Sequence, residues 1–567
     1  MSVLIAPSLL AEPSFQTVAL SGQPILDPSG LGANPATFDA INGFSIFEGG
    51  VWLVDAQITT GSGTADVQTL LRALPSGFST ELQAGQTVSG LATGQTLDSF
   101  DLVDANRFGD LAVRGVVGFD TVGLTRINGV TELLAREGDA APGLTARFFD
   151  DNWSAILIND RRDLAFRAEF STSPFGGGTR PGSENEVVYF AGDGQSLSPL
   201  LRDKVAGPPG LGGALSKISG PQSLTENGDV LVWVESQVQV APALGEVRQA
   251  ILLITPQGVS TVWAEGGPSP VSGSTFAGIG TPRFNRQGET AFVGDLLDGQ
   301  TTIQAFFAPG PGGLIPIGIQ GDDAPGLPGI EYEAFSPAFA LNARGQAAFR
   351  AELSGPSALV DLTSNEALFG PVGDEIRLIA REGDPAPGAG GDRFARLVNS
   401  LPLLTGAGST IFSASLQASD GSDLPSDVDQ ALFFHSGDPD DELMLLLREG
   451  QLFDVDDDPG EEDFRQIISW NVVPVDAVSG PEANQLALRL VFADGSTGAF
   501  AVSIPEPTTL ASAAWLMLMM TARRRRTAPC TPCVVDRPHR KDTPRCARTS
   551  GHTQNQGHHC EITRPVR

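Results

Sequence analysis

Carboxylates at short, recurring spacing are the first residues in this sequence that could do chemistry. Glu137 and Asp139, Asp322 and Asp323, and Glu382 and Asp384 fall in segments that look alike. Two acids held a set distance apart can hydrolyse a glycosidic bond. Acids that recur in copy after copy of a segment are more economically read as turn residues that every copy needs. A further acidic run, DVDDDPGEED, places Asp454, Asp456 and Asp458 at alternate positions, as a calcium loop does. It departs from the EF-hand template, because Pro459 takes the glycine position and Arg465 the final glutamate position. The default is a solvated acidic loop, with weak surface calcium binding as the metal-binding alternative. No resident cofactor is expected.

Other chemistry is sparse. His435 is the sole histidine before the C-terminal tail, so a Ser–His–Asp triad would have to use it. Its setting, ALFFHSGDPDDEL, reads as a hairpin turn, and the chain has no G-x-S-x-G elbow. A P-loop or a G-x-G-x-x-G entering a helix is also missing. All four cysteines (Cys530, Cys533, Cys546 and Cys560) lie in the tail with His552, His558 and His559. These are zinc-ligand types, but one C-x-x-C without a second knuckle is a weak pattern.

The elements that would position these residues are strands. Gly 67 and Pro 41 are about 19% of 567 residues, and charged residues only 18%. That composition suits many short strands and turns better than long helices. Before Arg523 the chain carries 25 Lys and Arg against 64 Asp and Glu, a net of −39. Such a body repels nucleic acid and anionic lipid. From Arg523 onward the balance reverses to +8.

Two elements repeat in phase through the body. LLAREGDAAPG (133–143) returns as LIAREGDPAPG (378–388), with weaker copies anchored at Gly22, Gly85, Arg202, Gly266, Gly321 and Gly450. Between anchors comes an Asn-x-x-Gly-x-x-Ala-Phe element: NRFGDLAV (106–113), NDRRDLAF (159–166), TENGDVLV (225–232), NRQGETAF (285–292), NARGQAAF (342–349) and TGAGSTIF (405–412). Asn at its first position and Gly at its fourth suit a type I turn. The turn residues are therefore Asn106 and Gly109, Asn159, Gly228, Asn285 and Gly288, and Asn342 and Gly345; Arg162 replaces one Gly, and Thr225 and Thr405 replace Asn. An alternating strand follows each turn, then an apolar hairpin, giving about four strands per unit.

Units of roughly 60 residues with four strands predict an all-β fold, a propeller of seven or eight four-stranded blades. Strands from the two chain ends could share a blade, which leaves the number open. ADVQTLLRAL (65–74) reads as one short helix between strands, and 171–186 and 415–429 as surface loops.

The paired elements resemble a tandem-repeat family named for its NxxGxxAF signature, found in bacterial surface proteins with varied C-terminal anchors. The resemblance covers roughly 18–502 and implies repeats and surface display, with no catalytic residues. IPEPTTLASAAWLMLMMTARRRR (504–526) is similar to the PEP-CTERM sorting signal: Pro505-Glu506-Pro507, a hydrophobic stretch to Ala522, then Arg523, Arg524, Arg525 and Arg526. The stretch reads as a short C-terminal hydrophobic helix, below the ~20 residues of an independent span. By this resemblance an exosortase-type membrane enzyme would process it, after transient anchoring in the inner membrane.

The expected organisation is therefore a propeller over 1–504, a sorting signal over 505–526 and a basic Cys/His-containing tail over 527–567. The N-terminal MSVLIAPSLLAEPSF has no basic n-region and too short an apolar run for a secretory signal, which points to a start site further upstream. The tail reads as disordered, or as a reading-frame artefact. The favoured function is an exported, non-enzymatic protein of the cell surface or extracellular matrix, binding a glycan or another surface protein. The alternative is a carboxylate-dependent polysaccharide hydrolase or lyase on a propeller scaffold.

Overall fold

An Asn-x-x-Gly turn reverses the chain, and the Ala-Phe alternation after it can bury one side chain in two only if sheets lie on both sides. The computed structural model carries this out eight times. It describes residues 13–504 apart from 26–35, 48, 60–65, 173–185, 193–195, 209–210, 222, 239–245, 256, 362, 398–400, 440, 457–462 and 475–483. Its strands form eight antiparallel sheets: blade 1 (37–83), blade 2 (99–136), blade 3 (148–202), blade 4 (214–264), blade 5 (275–319), blade 6 (331–381), blade 7 (393–448) and blade 8 (452–503). Ser14–Leu20 pairs with Thr497–Ser503 as the outer strand of blade 8. The protein is an eight-bladed β-propeller. The segment ahead of the Gly22 anchor thus completes the last blade, and blade 1 is whole between Gly22 and Gly85.

Within a blade the order is sequential, from Glu331–Leu341 through Ala347–Ser354 and Glu366–Val372 to Glu375–Arg381 in blade 6. In blades 4, 5 and 7 the first strand is broken in two, both pieces pairing with the same second strand. The core lies between blades. Each of eight apolar clusters mixes residues of two neighbours; Ala487 and Ala499 of blade 8 pack with Phe38 and Val54 of blade 1, which closes the ring.

Three sequence expectations change. Residues 67–74 are a strand, Val67–Leu74, and not a helix. Pairing on both sides, with Val51–Thr59 and Gly77–Gln83, overrides the modest helix propensity of QTLLRAL. The blade 3 anchor is Lys204 rather than Arg202: Lys204 N–H donates to Leu215 O as Gly266 N–H donates to Phe276 O. Lys204 also has φ +57°, where the other copies use Gly. His435 is the last residue of strand Gln430–His435, not a residue within the turn. Among the described residues no helix is long and apolar enough to cross a membrane. The sorting motif, the hydrophobic stretch and the Cys/His tail lie outside the described residues.

Candidate functional site

The first strands of the blades face a central channel, and the Asn turns end those strands. Each turn is built by one side chain. Asn342 Oδ1 accepts from Arg344 N and Gln346 N, both at 3.0 Å, while its Nδ2 donates 2.9 Å to Thr405 O of the next blade. Asn285 repeats this toward Asn342 O at 2.9 Å, Asn106 toward Asn159 O at 3.1 Å and Asn159 toward Thr225 O at 2.8 Å. Thr225 has no amide to donate, and Ser223 Oγ reaches Asn285 O instead, at 2.6 Å. These residues form a hydrogen-bonded strap from blade to blade.

Gly109, Gly228, Gly288 and Gly345 all take φ between 76° and 83°, the left-handed region that a Cβ disfavours. Arg162 adopts φ +65° at the same place in blade 3. Its guanidinium bonds Asp110 at 2.9 Å and Asn128 Oδ1 at 2.8 Å, an offset that a glycine could not supply.

The recurring acids end the fourth strands. Glu137 Oε2 accepts Thr121 N at 3.0 Å, Glu265 Oε2 accepts Gln249 N at 3.2 Å and Glu382 Oε2 accepts Glu366 N at 3.4 Å. Burial pushes all three carboxyls above their ordinary value. Asp139 and Asp384 shift the same way, for the same cause, with Arg136 and Arg381 opposing. The three glutamates therefore each brace their own blade. His435 is nearly buried, and its Nδ1 accepts Gly437 N at 3.0 Å. Burial holds its pKa below the usual histidine value against Asp441 and Asp438. Asp454 is exposed at a strand end, Val455 beside it is fully buried, and Asp458 lies outside the described residues. Among the described residues no three His, Cys, Asp or Glu side chains are grouped to hold a metal.

Sequence reading missed two places. In the channel, Arg286 of blade 5 reaches Asp104 of blade 2 at 3.4 Å and Ala105 O at 3.1 Å. Asp104 also accepts Ile158 N at 2.8 Å; burial raises its carboxyl, with Arg286 opposing. A small cavity of about 120 Å³ lies here, lined by Leu157, Ser223, Leu224 and Phe284 as well.

The larger place is a groove of about 370 Å³ between blades 7 and 8. Phe412, Ser413, Gln430, Leu432 and Glu449 line it from blade 7, and Ser469, Trp470, Asn471 and Val472 from blade 8. The Trp470 ring is half-buried and fixed by Nε1 donating 3.1 Å to Ser413 Oγ. Glu449 holds the fourth-strand position of Glu137, Glu265 and Glu382. Burial and the neighbouring Asp429 push its carboxyl up, against the Gln430 N–H. Unlike those three, it leaves an oxygen, Oε2, buried without a partner.

Register sets joint 7/8 against joint 5/6. Trp470 pairs with Leu490 as Phe335 pairs with Ala351, and Val472 with Leu488 as Phe339 with Phe349. Leu432 in QALFF occupies the place of Phe306 in QAFF. Phe306 meets Phe339 at 5.1 Å and Phe349 at 4.5 Å between ring centroids, which fills the joint between blades 5 and 6. Leu432 and Val472 cannot. Leu432 alone is no signal, since Leu368, Ile251 and Val188 hold the same place in blades 6, 4 and 3 and Phe306 is the exception.

Residues 83–511 match a family of unknown function (DUF7453). No curated protein matches the chain. Three similar solved structures are an arabinanase, a WD40 domain and a GH74 enzyme. The Penicillium chrysogenum alpha-L-arabinanase complexed with arabinobiose is 13% identical, over 60% of this chain and 94% of that one, TM-score 0.25. The WD40 domain of SCAP from fission yeast is 8% identical, over 87% and 98%, TM-score 0.29. An ancestral GH74 enzyme is 10% identical, over 85% and 65%, TM-score 0.32. At these scores none of them bears on activity.

Proposed function

For a chain that belongs to the DUF7453 family, we propose an exported binding protein of the cell surface or extracellular matrix, sorted through the PEP-CTERM-like segment at 505–526. Its role in this reading is non-enzymatic. The observation that supports it is the use of the recurring polar groups: the Asn and Thr turn side chains and Glu137, Glu265 and Glu382 each hold a turn or a strand end of the blades. Asp104 is tied to Arg286, and Glu449 is the one acidic residue among those lining the groove. Glycoside hydrolysis by the usual route calls for two opposed carboxyls.

Fractionation of native cells with intact mass measurement tests the localisation. A mature C-terminus near Pro505 in a membrane or extracellular fraction is expected. A cytoplasmic chain ending at Arg567 would overturn the sorting reading. The hydrolase or lyase alternative predicts release of reducing or unsaturated sugar ends from a polysaccharide panel, abolished by Asp104→Asn.

A further inference from the structure

We propose that the groove between blades 7 and 8 is a subsite for a neutral saccharide, with the Trp470 indole as its platform and Glu449 as a hydroxyl acceptor. The proposal deepens the binding role above and rests on it only for the biological setting. Its chemistry is carried by the groove.

Three observations bear on the occupant. First, the indole is locked. Its N–H is held by Ser413 Oγ, so the ring's orientation is set before a ligand arrives. A rigid, half-buried indole in a cavity suits the flat C–H face of a pyranose ring. Second, Glu449 lines the groove and its Oε2 is buried with no partner, a cost that turning the carboxylate toward a donor in the groove would relieve. A sugar hydroxyl is such a donor and brings no charge. The side chains of Ser413 and Gln430 are neutral groups that both donate and accept, as hydroxyl recognition requires. Third, the surroundings are acidic. Asp427 and Asp429 act on Glu449, and the chain before Arg523 carries a net of −39. An anionic glycan would be repelled.

An organic cation is the competing occupant, since acids and an indole attract it too. Cation recognition uses a cage of several rings. Here the second aromatic side chain in the lining, Phe412, is packed against Phe394 and Phe433 at 6.1 and 5.6 Å, and Leu432 and Val472 stand where further rings would be needed. The volume, about 370 Å³, falls within the range of small-molecule sites.

The experiment is titration of the full-length chain with neutral tetrasaccharides of β-linked glucose and of N-acetylglucosamine. An anionic oligogalacturonate and choline run beside them, and heat and tryptophan fluorescence are both read. At least one neutral saccharide should bind and perturb Trp470 fluorescence. Trp470→Ala should weaken that binding at least tenfold and Glu449→Gln several-fold. The paired change Leu432→Phe with Val472→Phe should abolish binding while the far-ultraviolet dichroism stays intact, which separates closure of the groove from misfolding. Saccharide binding that survives the paired change would place the site elsewhere and overturn the proposal. So would binding of choline or the oligogalacturonate in preference to every neutral sugar, or no binding to any probe. None of these outcomes depends on where the protein resides in the cell, so localisation can fail while the groove stands.

Discussion

The joint between blades 5 and 6 is shut and the joint between blades 7 and 8 is open, although the same backbone positions meet in both. Phe306, Phe335 and Phe339 fill the first; Leu432, Trp470 and Val472 face the second. Phe306 and Phe339 are at most 1% exposed and Leu432 is 2% exposed, whereas Trp470 and Val472 are half-buried, so the contrast lies on the blade 8 side. A propeller closes when every joint excludes water, so an open joint in a closed ring is retained at some cost in packing. Joint 7/8 still holds the ring through its own apolar cluster, Ile411, Leu432 and Phe434 packing with Ile467, Leu488 and Leu490, and the groove lies beside that core. A repeat architecture tolerates this because each interface contributes nearly independently.

The largest effect that tests the contrast is at the sealed joint. Phe339→Ala should destabilise by about 3–5 kcal/mol, the usual loss for a buried phenylalanine that leaves a cavity. Val472→Ala, at the matching place, should cost about 1 kcal/mol or less, because the side chain already borders a void. Guanidinium unfolding midpoints of the two variants measure this. Equal losses would mean that Val472 is as tightly packed as Phe339, and the contrast between the joints would collapse.

The strap of turns extends the comparison. Asn285 carries four bonds, three within its turn and one to Asn342 O across joint 5/6. Thr405, which leads into joint 7/8, offers a hydroxyl that accepts Ser409 N at 3.0 Å. Asn285→Ala strips two N–H groups, a carbonyl and the Glu289 carboxylate of their partner in a buried turn, and should cost about 2–4 kcal/mol. Thr405→Ala should cost about 1 kcal/mol. Thermal unfolding read for both would sharpen the picture. A larger loss at Thr405 than at Asn285 would show that blade 7 depends on its turn more than the amide count implies.

Much of this architecture was legible before any coordinates. The Asn and Gly phase marked the turn joining first and second strands, and the anchors marked the fourth-strand ends. Blade number was not, since nothing local says that Ser14–Leu20 will pair with Thr497–Ser503 across the whole chain. Residues 67–74 misled because a strand paired on both sides needs little intrinsic preference. Lys204 hid its blade 3 turn by taking a positive φ without being glycine, whereas the Asn159 turn was legible despite Arg162 in the glycine place. The channel pair Asp104–Arg286 joins residues 182 positions apart, a distance that no repeat periodicity encodes. The groove was hidden differently: it depends on how far Trp470 and Val472 fill the space against blade 7, which no local sequence pattern states.

The smallest expected effect concerns pH, and it too separates blade 7 from blade 5. His435 ends the third strand of blade 7 where Pro309 stands in blade 5. Its folded pKa lies below the ordinary value, with burial the main cause. As pH falls through about 6.5 the unfolded chain takes up the proton first. The stability that neutral His435 contributes is therefore complete above that pH. It is drawn off as pH falls toward the lowered folded value, below which nothing further is lost. Glu137, Glu265, Glu382 and Glu449 act with the opposite sign, because their raised carboxyls bind protons first in the folded state. The absolute pH profile mixes both, so the comparison must be with His435→Asn, whose side-chain oxygen can still accept from Gly437 N. Between pH 7.5 and 5.5 the wild-type unfolding midpoint should fall relative to the variant. Parallel profiles would mean that His435 is hydrated enough to titrate alike in both states, and that blade 7 is no more pH-sensitive than blade 5.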